Sequence, residues 1–135
     1  MPAFRSYNQN EQKAQNLIRS KLQKLGCAAR KMHGNLYSAG QADILVHRPD
    51  GVIVPVEFKW TEKKTITQLG VIGLLRESQL AESLQLYKLS AGKTKLRVCI
   101  CSPFGHSLVK VSPEDTEAYI IWKSVEQIVR EIMDV

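Results

Sequence analysis

Three side chains invite a chemical reading: Asp43 in "ADILVHR", and Glu57 and Lys59 in "VPVEFKW". The second stretch alternates Val54, Val56, Phe58 and Trp60 on one side with Glu57 and Lys59 on the other, which is the period of a β-strand. "ADILVHR" reads as a second strand. Between the two lies "PDG", and Gly51 suits the left-handed position of a type I turn with a bulge. A turn at 49–51 pairs Arg48 with Val52, His47 with Ile53, Leu45 with Pro55 and Asp43 with Glu57. Asp43 and Glu57 then face each other, with Cβ atoms about 4.5–5.5 Å apart. Lys59 lies one step further along the same side. The opposite side collects Ile44, Val46, Val52, Val54, Val56, Phe58 and Trp60 as core.

Two carboxylates at that separation repel unless something compensates them. A divalent cation does so: Mg²⁺ takes hard oxygen ligands, commonly one or two carboxylates together with substrate phosphate and water. A neighbouring lysine meets a phosphate oxygen, or orients or deprotonates water. The plainer alternative is a surface ion pair of Lys59 with Glu57 or Asp43. Pro55 bears on the choice, because it removes one ladder donor in mid-strand. A one-residue slip of register there would turn Asp43 toward the core.

The elements that must hold these residues can be traced from their periodicities. Ala14, Leu17, Ile18, Leu22 and Leu25 mark one face of a helix over 9–25, with Gly26 ending it. Asn8 suits its N-cap, with Glu11 closing a capping box. Glu11 also shares the stripe of Ala14 and Ile18, so it either caps the helix or points into the acidic site. "CAARKMH" is a short strand and "GNLYSAG" a loop. Residues 61–73 read as a mobile connection. A helix over 74–89 carries Leu75, Leu80, Leu84, Leu86 and Leu89. "KLRVCIC" and "HSLVKV" are strands around "SPFG", and "EAYIIW" reads as a further strand. Ser124, with Gln127 in the capping-box position, starts a last helix whose inner face is Val125, Ile128, Val129 and Ile132. The order is that of an α/β sandwich with a mixed sheet.

Composition bounds the rest. A chain of 135 residues supports one domain with one core. It has no apolar run long enough to span a membrane and opens without a secretory signal, so an intracellular protein, cytoplasmic or nucleoid-associated, is expected. Cys27, Cys99 and Cys101 make no disulfide framework. Cys99 and Cys101 share one face of their strand and are expected to pack in the core rather than to bind zinc. The net charge of +6 favours a polyanionic partner, nucleic acid or an anionic membrane surface.

In their order along the chain, Glu11, Asp43 within "GQADILV" and "EFK" at 57–59 resemble the PD-(D/E)XK nuclease superfamily. The likeness covers residues 8 to about 102. Ala42 stands where the motif's proline would be. The small single-domain layout looks like archaeal-type Holliday-junction resolvases and like virus-type replication-repair (VRR-NUC) nuclease modules. The resemblance implies a restriction-endonuclease-like α/β sandwich and Mg²⁺-dependent hydrolysis of DNA phosphodiesters, with Mn²⁺ as a substitute. Asp43, Glu57 and the Phe58 carbonyl would hold the metal, and Lys59 would position water or offset charge in the transition state. Arg30 and Ser38 stand where resolvases carry an Arg and a Ser ahead of the Asp. Gln79 stands where the replication-repair modules carry a Gln after the lysine. Lys31 and His33 would meet phosphates, or merely belong to an exposed strand. Lys63, Lys64 and Thr65 would track the DNA backbone, or form an ordinary solvated loop.

Three functions follow from that resemblance. One is a structure-selective endonuclease of recombination, repair or phage replication, acting on branched DNA as a homodimer. Another is a sequence-specific homing or restriction enzyme, for which 135 residues leave little room. The third is a non-catalytic DNA-binding module, which the presence of acid, acid and lysine disfavours.

Overall fold

The structure, a computed structural model, describes residues 2–32, 42–111 and 117–134, and of residues 2–8 the backbone alone. In chain order the elements are α1 (Pro2–Lys24), β1 (Ala28–Lys31), β2 (Ile44–His47), β3 (Ile53–Trp60), α2 (Gln68–Ile72), α3 (Glu77–Leu89), β4 (Arg97–Ser102), β5 (Gly105–Lys110) and α4 (Val125–Asp134). The strands form one sheet in sequential order. β1–β2, β2–β3 and β4–β5 run antiparallel, while β3 and β4 run parallel. That parallel pair requires a crossover, and α2 and α3 supply it.

Both faces of the sheet are covered. On one, α1 and α4 contribute Ala14, Ile18, Leu22, Ile128, Val129 and Ile132 against Ile44, Val46, Val54, Val56 and Phe58. Cys99 and Cys101 lie fully buried in this layer as packing residues. On the other face, Ile66, Val71, Ile72 and Leu75 pack on Val98, Ile100, Val109 and Val111. α4 starts as the sequence indicates: Ser124 Oγ accepts from Gln127 N at 3.2 Å, and Gln127 Oε1 accepts from Ser124 N at 2.9 Å.

The hairpin keeps the expected register, with His47 opposite Ile53 and Leu45 opposite Pro55. Gly51 sits at φ 88°, and its N–H donates to Arg48 O at 3.0 Å, closing the turn. Pro55 causes no slip. Arg48 N donates to Val52 O at 2.9 Å, so by alternation Leu45 and Pro55 form a non-hydrogen-bonded pair. The nitrogen of Pro55 therefore points toward the β4 side, where pairing begins only at Val56.

Elsewhere the structure corrects the sequence reading. α1 begins at Pro2, not after Asn8, which removes the capping box. Proline suits a first helical position, and nothing in "AFRSY" breaks a helix. Val52 is 39% exposed at the turn rather than in the core. The 61–73 connection contains α2, capped by Thr67 Oγ1, which accepts from Gly70 N at 3.0 Å. α3 starts at Glu77, and Leu86 and Leu89 are exposed. "EAYIIW" forms no strand but only an isolated bridge, Thr67 to Tyr119, with a second just beyond it, His106 to Lys123. Its alternation is real all the same: Ile120 and Trp122 pack inward and Tyr119 and Ile121 face out. Among the described residues no helix is long and apolar enough to cross a membrane.

Candidate active site

β2 stops at Ile44, one residue short of the acid that precedes it. The ladder would next require a backbone acceptor for Phe58 N–H. Asp43 provides one from its side chain instead, with Phe58 N donating to Oδ2 at 2.8 Å. The Asp43 carbonyl meanwhile accepts from Met32 N at 2.8 Å and so ties in the end of β1. One residue thus ends two strands, and its carboxylate is fixed at the β3 backbone. By strand alternation the Phe58 carbonyl faces the same side as its N–H.

Glu57 lies on β3 across from this carboxylate, near enough to feel its negative charge. Glu57 is not on a wet face, as the bare hairpin suggests. Its partner on β4 is Val98, the second core layer closes over it, and it is 5% exposed. Gln79, itself 2% exposed on α3, donates from Nε2 to Glu57 Oε2 at 2.6 Å. The Gln79 carbonyl oxygen accepts from Arg76 N at 3.0 Å, which fixes the amide orientation and closes the start of α3. Lys59 Nζ stands 3.5 Å from the same Glu57 oxygen. The other oxygen, Oε1, is buried with no hydrogen-bond partner.

Burial pushes the Glu57 carboxyl up to about 7, and the negative charge of Asp43 adds to the rise against Gln79 and Lys59. Glu11 approaches from α1 on the far face of the sheet. Burial raises its carboxyl and so does the charge of Asp43, while Lys59 and a hydrogen bond from the Trp60 backbone lower it. The structure therefore brings Asp43, Glu57, Lys59, Gln79 and Glu11 into one neighbourhood at the end of β3. With the helix starting at Pro2, only the inward-pointing reading of Glu11 remains.

The other residues singled out from the sequence lie further off. Arg30 pairs with Leu45 on β1 and is exposed on the acidic face; Lys31, one residue on, faces the opposite side. His33 and Ser38 fall outside the described residues. Lys63, Lys64 and Thr65 are exposed on the loop that follows β3. Sequence reasoning missed that this loop is held from below: Trp122 Nε1 donates to Lys64 O at 2.7 Å. The alternation of "YIIW" was the available signal, but a pairing of single residues across 58 positions leaves no periodic trace.

The orphaned Glu57 oxygen beside a second carboxylate fits a hard divalent cation. Among the described residues no three His, Cys, Asp or Glu side chains converge on one point.

No family model matches this chain. No curated protein matches it either. Among solved structures it is similar to Hjc, a Holliday junction resolvase of the archaeal hyperthermophile Archaeoglobus fulgidus, at 16% identity over 91% of this chain and 94% of that one, with a TM-score of 0.56. A VRR_NUC domain is 26% identical over 69% of this chain and 85% of that chain, with a TM-score of 0.48. The mixed five-stranded sheet with its flanking helices is thus the α/β nuclease fold of the resolvase type.

Proposed function

We propose that this protein is a Mg²⁺-dependent DNA endonuclease that hydrolyses phosphodiester bonds next to branches, in recombination, repair or phage replication. The single observation that carries the reading is the pairing of half-buried Asp43 with buried Glu57, with one Glu57 oxygen left without a protein partner and Lys59 alongside. The resolvase-type fold supports the DNA substrate, and two symmetric cuts in a four-way junction would call for a homodimer.

Asp43, Glu57 and the Phe58 carbonyl would hold the cation. When bound, it supplies positive charge to the phosphate and makes nearby water more acidic. Gln79 holds Glu57 in its rotamer, and Asp43 is held by Phe58 N–H, so the acids are set before substrate arrives. Lys59, 22% exposed at its side chain, reaches from buried Glu57 toward solvent, where a phosphate would approach. Its ammonium orients the attacking water and offsets negative charge on the phosphoryl oxygens. Water oxygen bonds to phosphorus, the bridging ester oxygen leaves with a proton, and the products are a phosphomonoester and a hydroxyl.

The test is cleavage of a four-way junction, a flap, single-stranded DNA and plasmid, with Mg²⁺ and with EDTA, Mn²⁺ being tried in place of Mg²⁺. Branched substrates are expected to be cut only with metal, and Lys59→Ala and Glu57→Ala are expected to lose the activity while keeping the wild-type circular dichroism. Full cleavage by either variant would discard the assignment.

A further inference from the structure

Glu57, Lys59 and Thr61 follow one another on the same side of the chain as it leaves β3, and Thr61 N still bonds Cys101 O at 2.9 Å. At about 3.3–3.4 Å of rise per residue, Thr61 stands about 7 Å beyond Lys59. There the surface opens into a groove of about 280 Å³, lined among others by Thr61, Lys63, Thr65, Thr67, Leu74 and Tyr119. Tyr119 is 66% exposed.

The walls of this groove are fixed. Gln68 N donates to Ala118 O at 2.9 Å, Ile120 N to Ile66 O at 3.0 Å, and Trp122 Nε1 to Lys64 O at 2.7 Å, while Thr67 bridges Tyr119 directly. A large aromatic ring is therefore left in water on a backbone that is tied on both sides. Thr61 Oγ1 accepts from Lys63 N at 3.1 Å and Thr67 Oγ1 accepts from Gly70 N at 3.0 Å. Both hydroxyls have a backbone donor already, which leaves each O–H free to donate to a ligand. The groove thus offers one aromatic face, an exposed ammonium at Lys63 and the lining hydroxyls of Thr61 and Thr67.

We propose that this groove holds an unpaired nucleotide of the DNA, with its base stacked on Tyr119 and its phosphate met by Lys63. The proposal rests on the nuclease reading above and deepens it by naming what the enzyme recognises near a branch. Every base has a π-face, so stacking tolerates any sequence. In a duplex both faces of a base are already covered, and Tyr119 would find nothing to stack on. The volume is at the small end for ligand pockets, about 300 Å³, which suits one planar base and not a base pair. Thr61, about 7 Å past Lys59, puts the groove beside the proposed site of cutting.

The test is fluorescence anisotropy in EDTA, with one labelled oligodeoxynucleotide offered single-stranded and again as a full duplex. Stacking on an aromatic is worth about 1–3 kcal/mol per base, so Tyr119→Ala should weaken single-strand binding about 5- to 150-fold. Tyr119→Phe should retain the binding, and duplex affinity should not move. Ile121→Ala, a neighbouring exposed residue on the same segment, should leave both affinities at the wild-type value. No loss in Tyr119→Ala, an equal loss on duplex, or the same loss in Ile121→Ala overturns the proposal. The Mg²⁺ cleavage assay is read separately. Intact branched-DNA cutting with no Tyr119 effect removes the groove and keeps the nuclease. Tyr119-dependent binding by a protein that never cuts keeps the groove and removes the nuclease.

Discussion

Glu57→Gln should make the protein more stable above neutral pH and inactive at the same time. The carboxyl rises from an ordinary 4.5 to about 7, chiefly through burial. At about 1.4 kcal/mol per pKa unit, keeping it ionised costs the folded state about 3 kcal/mol at pH 8. The sign follows from proton counting. Between pH 4.5 and about 7 the unfolded chain has lost this proton while the folded chain keeps it, so stability falls as pH rises through that window. Glutamine removes the charge and still accepts from Gln79 Nε2, now at 2.6 Å. The loss is the contact to Lys59 at 3.5 Å, a partly exposed pair worth less than about 1 kcal/mol. The net gain is about 2 kcal/mol at pH 8, or on the order of 5–8 °C in Tm for a domain of this size. Thermal unfolding of wild type and variant in EDTA from pH 4.5 to 8 measures it. The two curves should meet at the acid end and separate toward pH 8. Mg²⁺ at pH 8 should raise the wild-type Tm and leave the variant unmoved. An ordinary surface ion pair gives the opposite sign, a small destabilisation, so a variant that melts at or below wild type at pH 8 refutes the buried-acid argument.

Two further perturbations test the frame around the site. Trp122→Phe keeps the tilted ring pair with Phe104 but loses the indole N–H bond to Lys64 O. At about 0.5–1.5 kcal/mol for such a bond, trypsin cutting after Lys63 and Lys64 should quicken about 2- to 13-fold, and an unchanged rate would show that the loop is held by other means. Ser124→Ala removes the acceptor for Gln127 N and should cost about 1 kcal/mol of unfolding free energy in urea; no change in midpoint would deny the cap a role in docking α4.

The hairpin was legible because two constraints agree. Period-two alternation gives the faces, and "PDG" gives the register, so Asp43 and Glu57 could be placed opposite each other from the letters alone. The burial of Glu57 was not legible. It depends on α2 and α3 folding back over the sheet, and the polar "TEKKTITQLG" shows little of the apolar period that would announce a covering layer. The start of α1 was misread for a related reason: an Asn followed three residues later by Glu satisfies the capping pattern, but a helix already running from Pro2 has no free N–H groups there to cap. The segment 118–122 was misread in kind but not in pattern, because alternation reports which side chains face inward and not whether a ladder forms.

A carboxylate on a solvated face would be half-satisfied by water and would bind a cation weakly, since water screens both. Under α2 and α3, Glu57 is short of solvent, is held by Gln79 at one oxygen and lacks a partner at the other. The same burial that costs about 3 kcal/mol in the folded protein leaves an unmet demand for positive charge at one atom. Lys59 meets it in part, from 3.5 Å and on the wrong oxygen for Oε1. A cation held by Glu57 and Asp43 would offset that demand and would favour the ionised form of Glu57. The stability defect and the proposed metal affinity are then one quantity seen from two sides. Relieving the first with Glu57→Gln must remove the second, and a variant that gained stability while still gaining Tm from Mg²⁺ would separate them.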